Sequence, residues 1–261
     1  RLGLPSNSAQ GGSNTTFTHS RAYTVAALDA KAKMLEIAAK DLGGAPADYD
    51  LEAEKVVHKT DKSKSMTYAQ VATRAVALGG KYSGKSDIPG DINDITKRSV
   101  EIVAGTGLIG VAKDNIPGTG TVPGLCAAAI QVEVDVETGH ITLVDYLGVT
   151  DCGTVVHPMG LGAQMRSGAI QGFGLAMTER FVYDPQNGIP LNNGFHEAKV
   201  QSYVDVPLIN NWAPVAKADP QSPFGSRGVG EPAQGCAAAA VCSAVWDALG
   251  GKLLNRTPIV P

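Results

Sequence analysis

Apolar positions along this chain recur with two different periods, and the change of period marks its elements. From Val25 they return at helical spacing through Leu28, Ala32, Leu35, Ala39 and Leu42, which predicts a long helix with one apolar stripe. Gly43 and Gly44, followed by Pro46, end it. Thr67-x-x-Gln70 announces a second helix, because each side chain can bond the other residue's backbone N–H, and Gly79-Gly80 stops it. Between the two helices LEAEKVVH (51–58) reads as one strand, and 81–93 reads as a loop.

The period falls to two at Ile130, Val132, Val134 and Val136, which alternate with Gln131, Glu133 and Asp135. Glu137-Thr138-Gly139 turns the chain and ITLVDYLGV (141–149) returns, so a hairpin is expected. Pro158 then opens a helix through AQMRSGAIQGFGLAMTE (163–179), with glycines at 160, 162, 168 and 172 in it or at its start. Each glycine costs roughly 1 kcal/mol of helix stability against alanine, so their presence points to close approach by another backbone or a ligand. Asp184-Pro185-Gln186-Asn187-Gly188 is a turn, loops run on to Pro223, and a last helix spans Glu231–Leu249 before Gly250-Gly251. Helices and strands mix without strict alternation or repeat. The expected class is α+β over 1–261, with two subdomains over about 1–100 and 101–261.

Composition narrows the function. The 261 residues, 43% of them hydrophobic, suffice for a real core. A net charge of -3 gives no electrostatic case for nucleic acid or an anionic membrane, and no apolar run approaches the roughly 20 residues of a membrane helix. Cys126, Cys152, Cys236 and Cys242 form no C-x-x-C, and the last two stand six apart on the predicted final helix, hence on different faces. They read as buried thiols in a reducing compartment rather than as an iron–sulfur or zinc site. The chain starts at Arg1 with no visible signal peptide, so either a longer precursor or a missing true start is expected; the cytoplasm is the expected location, with the periplasm left open.

Most candidate motifs fail on context. GTGLIG (105–110) matches G-x-G-x-x-G, and VEIVA (100–104) before it could be a strand, but only VAKDN follows before the next turn residues, where a dinucleotide fold needs a long helix. It reads as a flexible turn. There is no G-x-S-x-G, and His196-Glu197 lacks the second histidine of a zinc-protease helix. His157, before Pro158, reads first as a capping or packing residue.

Two stretches remain. In GGSNTT (11–16) small residues leave backbone amides open and polar side chains add hydrogen-bonding groups, as a phosphate or polar heterocycle would require; a plain N-terminal stub has the same composition. In GVGEP (228–232) Glu231 is either a helix N-cap or a general base at a glycine-made opening. For the base, the helix N-terminus favours the anion and burial disfavours it.

Taken in order, GGSNTT, the hairpin VEVDVETGHITLVDYLGVTDCG, VVHPMGLGAQMRSGAIQGFGLAMTE, DPQNG, SYVDVP, GVGEP and LLNRTPIVP resemble the molybdenum-binding subunit of the xanthine dehydrogenase and aldehyde oxidase family. The resemblance covers the C-terminal third of that subunit. It implies a molybdenum ion held on a pyranopterin dithiolene, with no direct metal ligand from the chain, and a cytosine dinucleotide tail on the pterin. Glu231 would be the base that activates a metal-bound hydroxide. Gly12, Ser13, Asn14, Thr15 and Thr16 would grip the cofactor, together with Gly230 and with Gln164 at the pterin or a metal ligand. [2Fe–2S] clusters and FAD on partner subunits would carry electrons away, and a further chain, the remainder of the molybdenum subunit, would complete the site around a small aldehyde or N-heterocycle. The sequence departs from the pattern at Asn14, where arginine is frequent, at Ser20 and His157, where glycine and asparagine are, and at Cys152, where alanine is common. A scaffolding subunit without chemistry, a related reductase and a carbon monoxide dehydrogenase-type enzyme are the alternatives.

Overall fold

A computed structural model describes residues 11–114, 116, 124–251 and 256–260. The chain divides into two compact units, one within Thr18–Pro117 and the other within Gln10–Phe17 and Gly118–Pro261. Helices and strands are mixed in both, as the α+β expectation required. Among the described residues no helix is long and apolar enough to cross a membrane.

Most of helix α1 (Thr15–Leu42) belongs to the first unit. Its buried positions are Ser20, Lys33, Ile37, Ala38 and Ala39; Leu35, Ala39 and Leu42 of the predicted stripe join the core, while Leu28 is exposed. The buried Lys33 keeps its charge paired. Lys33 Nζ lies 2.6 Å from Asp29 Oδ2 and 2.9 Å from the Ile109 carbonyl, and Asp29 also accepts from Val111 N. GTGLIG is thus a packing turn: a Cβ on Gly110 would stand 2.5 Å from the Ala26 carbonyl oxygen.

LEAEKVVH is not one strand. It breaks into β1 (Tyr49–Glu52) and β2 (Lys55–His58), paired antiparallel around Ala53 and Glu54, whose φ values of 43° and 64° make the turn. β3 (Ser65–Thr67) pairs with β2 and leads into α2 (Tyr68–Leu78), where the expected capping box is in place. α1, the β1–β2 hairpin and α2 meet in a core of Ile37, Tyr49, Val56, Val71, Ala75 and Tyr82. VEIVA is also corrected: Val100–Val103 close helix α3 (Asp94–Val103), which Asn93 caps by accepting from Thr96 N at 2.8 Å.

The second unit is a sheet with two helices on it. β4 (Cys126–Val134) and β5 (Ile141–Asp151) form the expected antiparallel hairpin. β6 (Ile209–Val215), in a stretch read as loop, pairs parallel to β5 and leaves β5 central. α4 (Pro158–Met177) starts where expected, with His157 as its cap: the ring accepts from Gly160 N at 2.8 Å. A four-residue turn of helix, α5 (Phe195–Ala198), lies in the long connection before β6. α6 (Glu231–Ala248) is the last helix. Leu143, Tyr146, Ala169, Phe173, Ala237, Val241 and Val245 form the core between sheet and helices, with Tyr146 and Phe173 edge to face at 5.1 Å.

α4 and α6 touch through backbone, which is what the costly glycines of α4 permit. A Cβ on Gly172 would lie 2.4 Å from the Gln234 carbonyl oxygen and 2.8 Å from Ala237 Cβ. Gly162 instead makes room for the Trp212 indole of β6.

Candidate functional site

The N-terminal turn and the start of α6 meet within the second unit. Glu231 is not the helix cap: Gly230 is, at φ 127°, and Glu231 is the first helical residue, followed by Pro232, which needs no hydrogen-bond acceptor there. The Glu231 N–H donates instead to Ser13 Oγ at 3.1 Å, and the same hydroxyl donates to Glu231 Oε2 at 3.5 Å. Ser13 therefore satisfies one of the orphan donors of the helix end and steadies the carboxylate above it. The carboxylate is exposed, and the first-turn dipole favours its negative charge.

The glycines of GVGEP let this crossing happen. A Cβ on Gly228 would stand 2.6 Å from the Ser13 carbonyl oxygen and 3.3 Å from that of Gly12. One on Gly230 would stand 2.8 Å from Gln164 Oε1 and 3.0 Å from Ser13 Oγ. Gly12 lies at φ 65°, and the Cβ it lacks would sit 4.0 Å from Glu231 Oε2. Gly12, Ser13, Gln164, Gly230 and Glu231, five of the eight residues singled out in the sequence, thus converge on one spot. Asn14 and Thr15 continue the same turn into α1. Thr16 and Gln164 line a cavity of about 300 Å³ together with Cys152, His157, Arg227 and Val229. Burial pushes the Cys152 thiol up, so this cysteine stays protonated in the cavity wall.

One group of site residues gave no sequence signal. Arg227 Nε donates to Asp219 Oδ2 at 2.8 Å, its NH1 donates to Asp151, and its backbone N–H donates to the Cys152 carbonyl at 2.8 Å. Asp219 is 2% exposed. Two carboxylates, Asp219 eight residues upstream and Asp151 seventy-six residues away, thus clamp the segment that leads into GVGEP. The nearest legible hint is the lone arginine in GSRGVGEP, and nothing local marks Asp219 as its partner. A larger cavity of about 1020 Å³ lies elsewhere on this unit, near Thr138, Tyr203 and Leu208, and none of the sequence-predicted site residues lines it. Among the described residues no group of three or more His, Cys, Asp or Glu side chains could hold a metal ion directly.

A fold of this class, with a glycine-lined junction of turn, helix start and glutamine, has known counterparts. A family model for the molybdopterin cofactor-binding domain matches residues 3–207, and the chain belongs to that family. It is 31% identical over 133 residues to the 6-hydroxypseudooxynicotine dehydrogenase complex subunit gamma of Paenarthrobacter nicotinovorans, covering 51% of this chain and 17% of that one. It is 29% identical over 150 residues to the xanthine dehydrogenase molybdenum-binding subunit of Escherichia coli O157:H7, covering 58% and 20%. A solved Cu,Mo-CO dehydrogenase superposes with a TM-score of 0.66 at 26% identity, over 95% of this chain and 28% of that one. The chain spans about a fifth of the length of the two curated relatives.

Proposed function

We propose that this chain is a catalytic component of a molybdenum hydroxylase, with Glu231 as its general base. The observation that carries the reading is the Ser13–Glu231 junction, which sets an exposed carboxylate beside the glycine turn that opens α1. The residues fit a pterin group with a phosphate-bearing tail. Gly11, Gly12, Thr15 and Thr16 are exposed at the start of a 28-residue helix, whose dipole favours anions. Gly228 and Gly230 keep that edge free of Cβ atoms, and Gln164 supplies a side-chain amide beside it. Gly12, Ser13, Asn14, Thr15, Thr16, Gln164 and Gly230 are the residues that would hold the group, with a cytosine dinucleotide tail.

The molybdenum–pterin group supplies the two-electron oxidation and the activation of water. With that group bound, the Glu231 carboxylate would accept a proton. Ser13 orients it, and the Arg227 clamp fixes the loop from which it projects. The rest of the molybdenum subunit completes the site around a small aldehyde or N-heterocycle. [2Fe–2S] and FAD subunits take the electrons. The names of the relatives, which include a dehydrogenase complex subunit and a molybdenum-binding subunit, support a multi-subunit assembly.

The test uses the purified complex. Molybdenum should be present near one per copy of this chain, and acid hydrolysis should release cytidine monophosphate. Glu231→Gln should keep metal and nucleotide while kcat with an artificial electron acceptor falls by at least about 10²-fold, the usual share of a general base. Full turnover in that variant removes the base assignment, and a complex whose metal lies wholly in another chain makes this one a scaffold.

A further inference from the structure

Two cysteines outside the site above face each other. Cys126 opens β4, and Cys236 lies in the second turn of α6. These segments are fixed together on either side of the pair. A Cβ on Gly124 would stand 3.0 Å from Pro232 Cγ, and Ala128 packs on the cluster that contains Ala237. Pro232 and Cys236 lie one turn apart on α6, and Gly124 and Cys126 lie two residues apart where the chain enters β4, so Cys126 and Cys236 fall between those two contacts and face each other. Cys126 Sγ also lies 3.0 Å from the hydroxyl of Thr150, its partner across the β4–β5 ladder, and Cys236 Sγ lies 3.3 Å from the Ala233 carbonyl oxygen. Both side chains are half-buried.

The two thiols are unequal. The neighbouring Cys236 thiol holds Cys126 down at about 6, with help from Thr150 and against burial and the Asp151 charge. The nearby Cys126 sulfur, with burial, pushes Cys236 up, while Tyr146 acts in the opposite sense. One sulfur is therefore a ready thiolate and the other a protonated neighbour, the combination that thiol oxidation to a disulfide requires. Cys152 and Cys242 have no such partner in effect: burial pushes both up.

We propose that Cys126 and Cys236 are a peroxide-sensitive dithiol whose oxidation ties β4 to the helix that bears Glu231. The Cys126 thiolate attacks one oxygen of hydrogen peroxide, the O–O bond breaks, and hydroxide leaves behind a sulfenic acid. The Cys236 sulfur then attacks the Cys126 sulfur, the S–O bond breaks, and the Cys236 proton leaves with that oxygen as water. Two thiols lose two electrons, and one peroxide becomes two waters once the hydroxide is protonated. The bond spans residues 126 and 236, so it closes a long loop and joins the edge strand to the first turns of α6. Thiol reductants reverse it.

The experiment is peptide mapping of this chain in the purified complex after a brief peroxide pulse, with free thiols blocked and no reductant. A Cys126–Cys236 cross-linked peptide lighter by two hydrogens is expected, and it should vanish on treatment with dithiothreitol. Cys152→Ser/Cys242→Ser should form the same peptide at the wild-type rate. Cys236→Ser should lose it completely and accumulate sulfenic acid at Cys126, trapped with dimedone. Sulfinic acid at Cys126 in the wild-type chain without any cross-link, or a cross-link through Cys152 or Cys242, overturns the proposal. The wild-type map alone decides this, whether or not any variant folds.

Discussion

A Cβ on Gly168 would stand 2.5 Å from the carbonyl oxygen of Gly230 and 2.9 Å from Ala233 Cβ. The middle of α4 therefore sets the height of the turn from which Glu231 emerges. Any side chain at 168 must move that turn or α4 itself. Gly168→Val should lower stability by about 2 kcal/mol, the usual scale of overpacking, and shift the start of α6 with it. Gly235, on the exposed side of α6, has nothing within 4 Å of its missing Cβ, so Gly235→Ala should stabilise by about 0.5–1 kcal/mol. Urea unfolding of the two variants separates the effects, and equal behaviour would mean that the α4–α6 contact yields freely.

Arg227 is flanked by carboxylates of unequal burial. The side chain of Asp219 is 1% exposed and that of Asp151 18%. Arg227→Met removes the charge that offsets a nearly dry anion, so a loss of about 3 kcal/mol is expected. Arg227→Lys should recover only part of it, because an ammonium cannot fork between two carboxylates as the guanidinium does. A denaturant series on wild type and both variants checks the order. If Arg227→Met is as stable as wild type, the clamp does not hold the loop.

Some of these relationships were legible in the sequence and others could not be. The Thr67–Gln70 capping box, the Ile130–Val149 hairpin and the Pro158 helix start were, because each is written in residues a few positions apart. LEAEKVVH hid its turn, since Ala53 and Glu54 adopt left-handed φ without glycine or asparagine to advertise it. VEIVA carries β-branched residues that favour strand, yet the Asn93 cap had already committed the segment to helix. β6 was masked by Asn210, Asn211 and Pro214, tolerable because it pairs on one side only, with β5.

For the site, the glycines of α4 and of GVGEP foretold close approach without saying to what. The partner of Gly228 and Gly230 is Ser13, more than two hundred positions away, and only packing or a family resemblance brings them together. A buried partner such as Asp219 and a half-buried one such as Cys126 leave no local trace. Three of the four cysteines proved half-buried rather than buried, since Cys126, Cys236 and Cys242 lie where β4 and α6 meet the edge of the core.

Ser13 sits at φ 56°, a left-handed conformation that a residue with a Cβ adopts at a cost of about 1 kcal/mol. What offsets it is the hydroxyl bond to Glu231 N. Ser13→Ala keeps the strain and loses the bond, so it should be about 1 kcal/mol less stable than wild type. Ser13→Gly loses the same bond and the strain together, and should stay close to wild type. Thermal or urea unfolding decides; alanine equal to serine would show that the bond contributes nothing.

Cys126 should alkylate as no ordinary thiol does. Only the thiolate reacts with iodoacetamide, and raising the pH fills that form as it passes the pKa. With the Cys126 thiol held at about 6 by its neighbour Cys236, labelling of Cys126 should be half-maximal near that pH and level off by about pH 7.5. Cys152 and Cys242, both pushed up by burial, should label slowly and keep gaining rate beyond about pH 9, above the ordinary thiol range. Cys236→Ser replaces the thiol donor with a hydroxyl that can still donate, whereas Cys236→Ala removes it, so the half-point should rise in the alanine variant and move less in the serine one. A Cys126 profile that climbs through about pH 8.5 in the wild-type chain, the value of a free thiol, would mean that the two sulfurs do not share the proton that their packing implies.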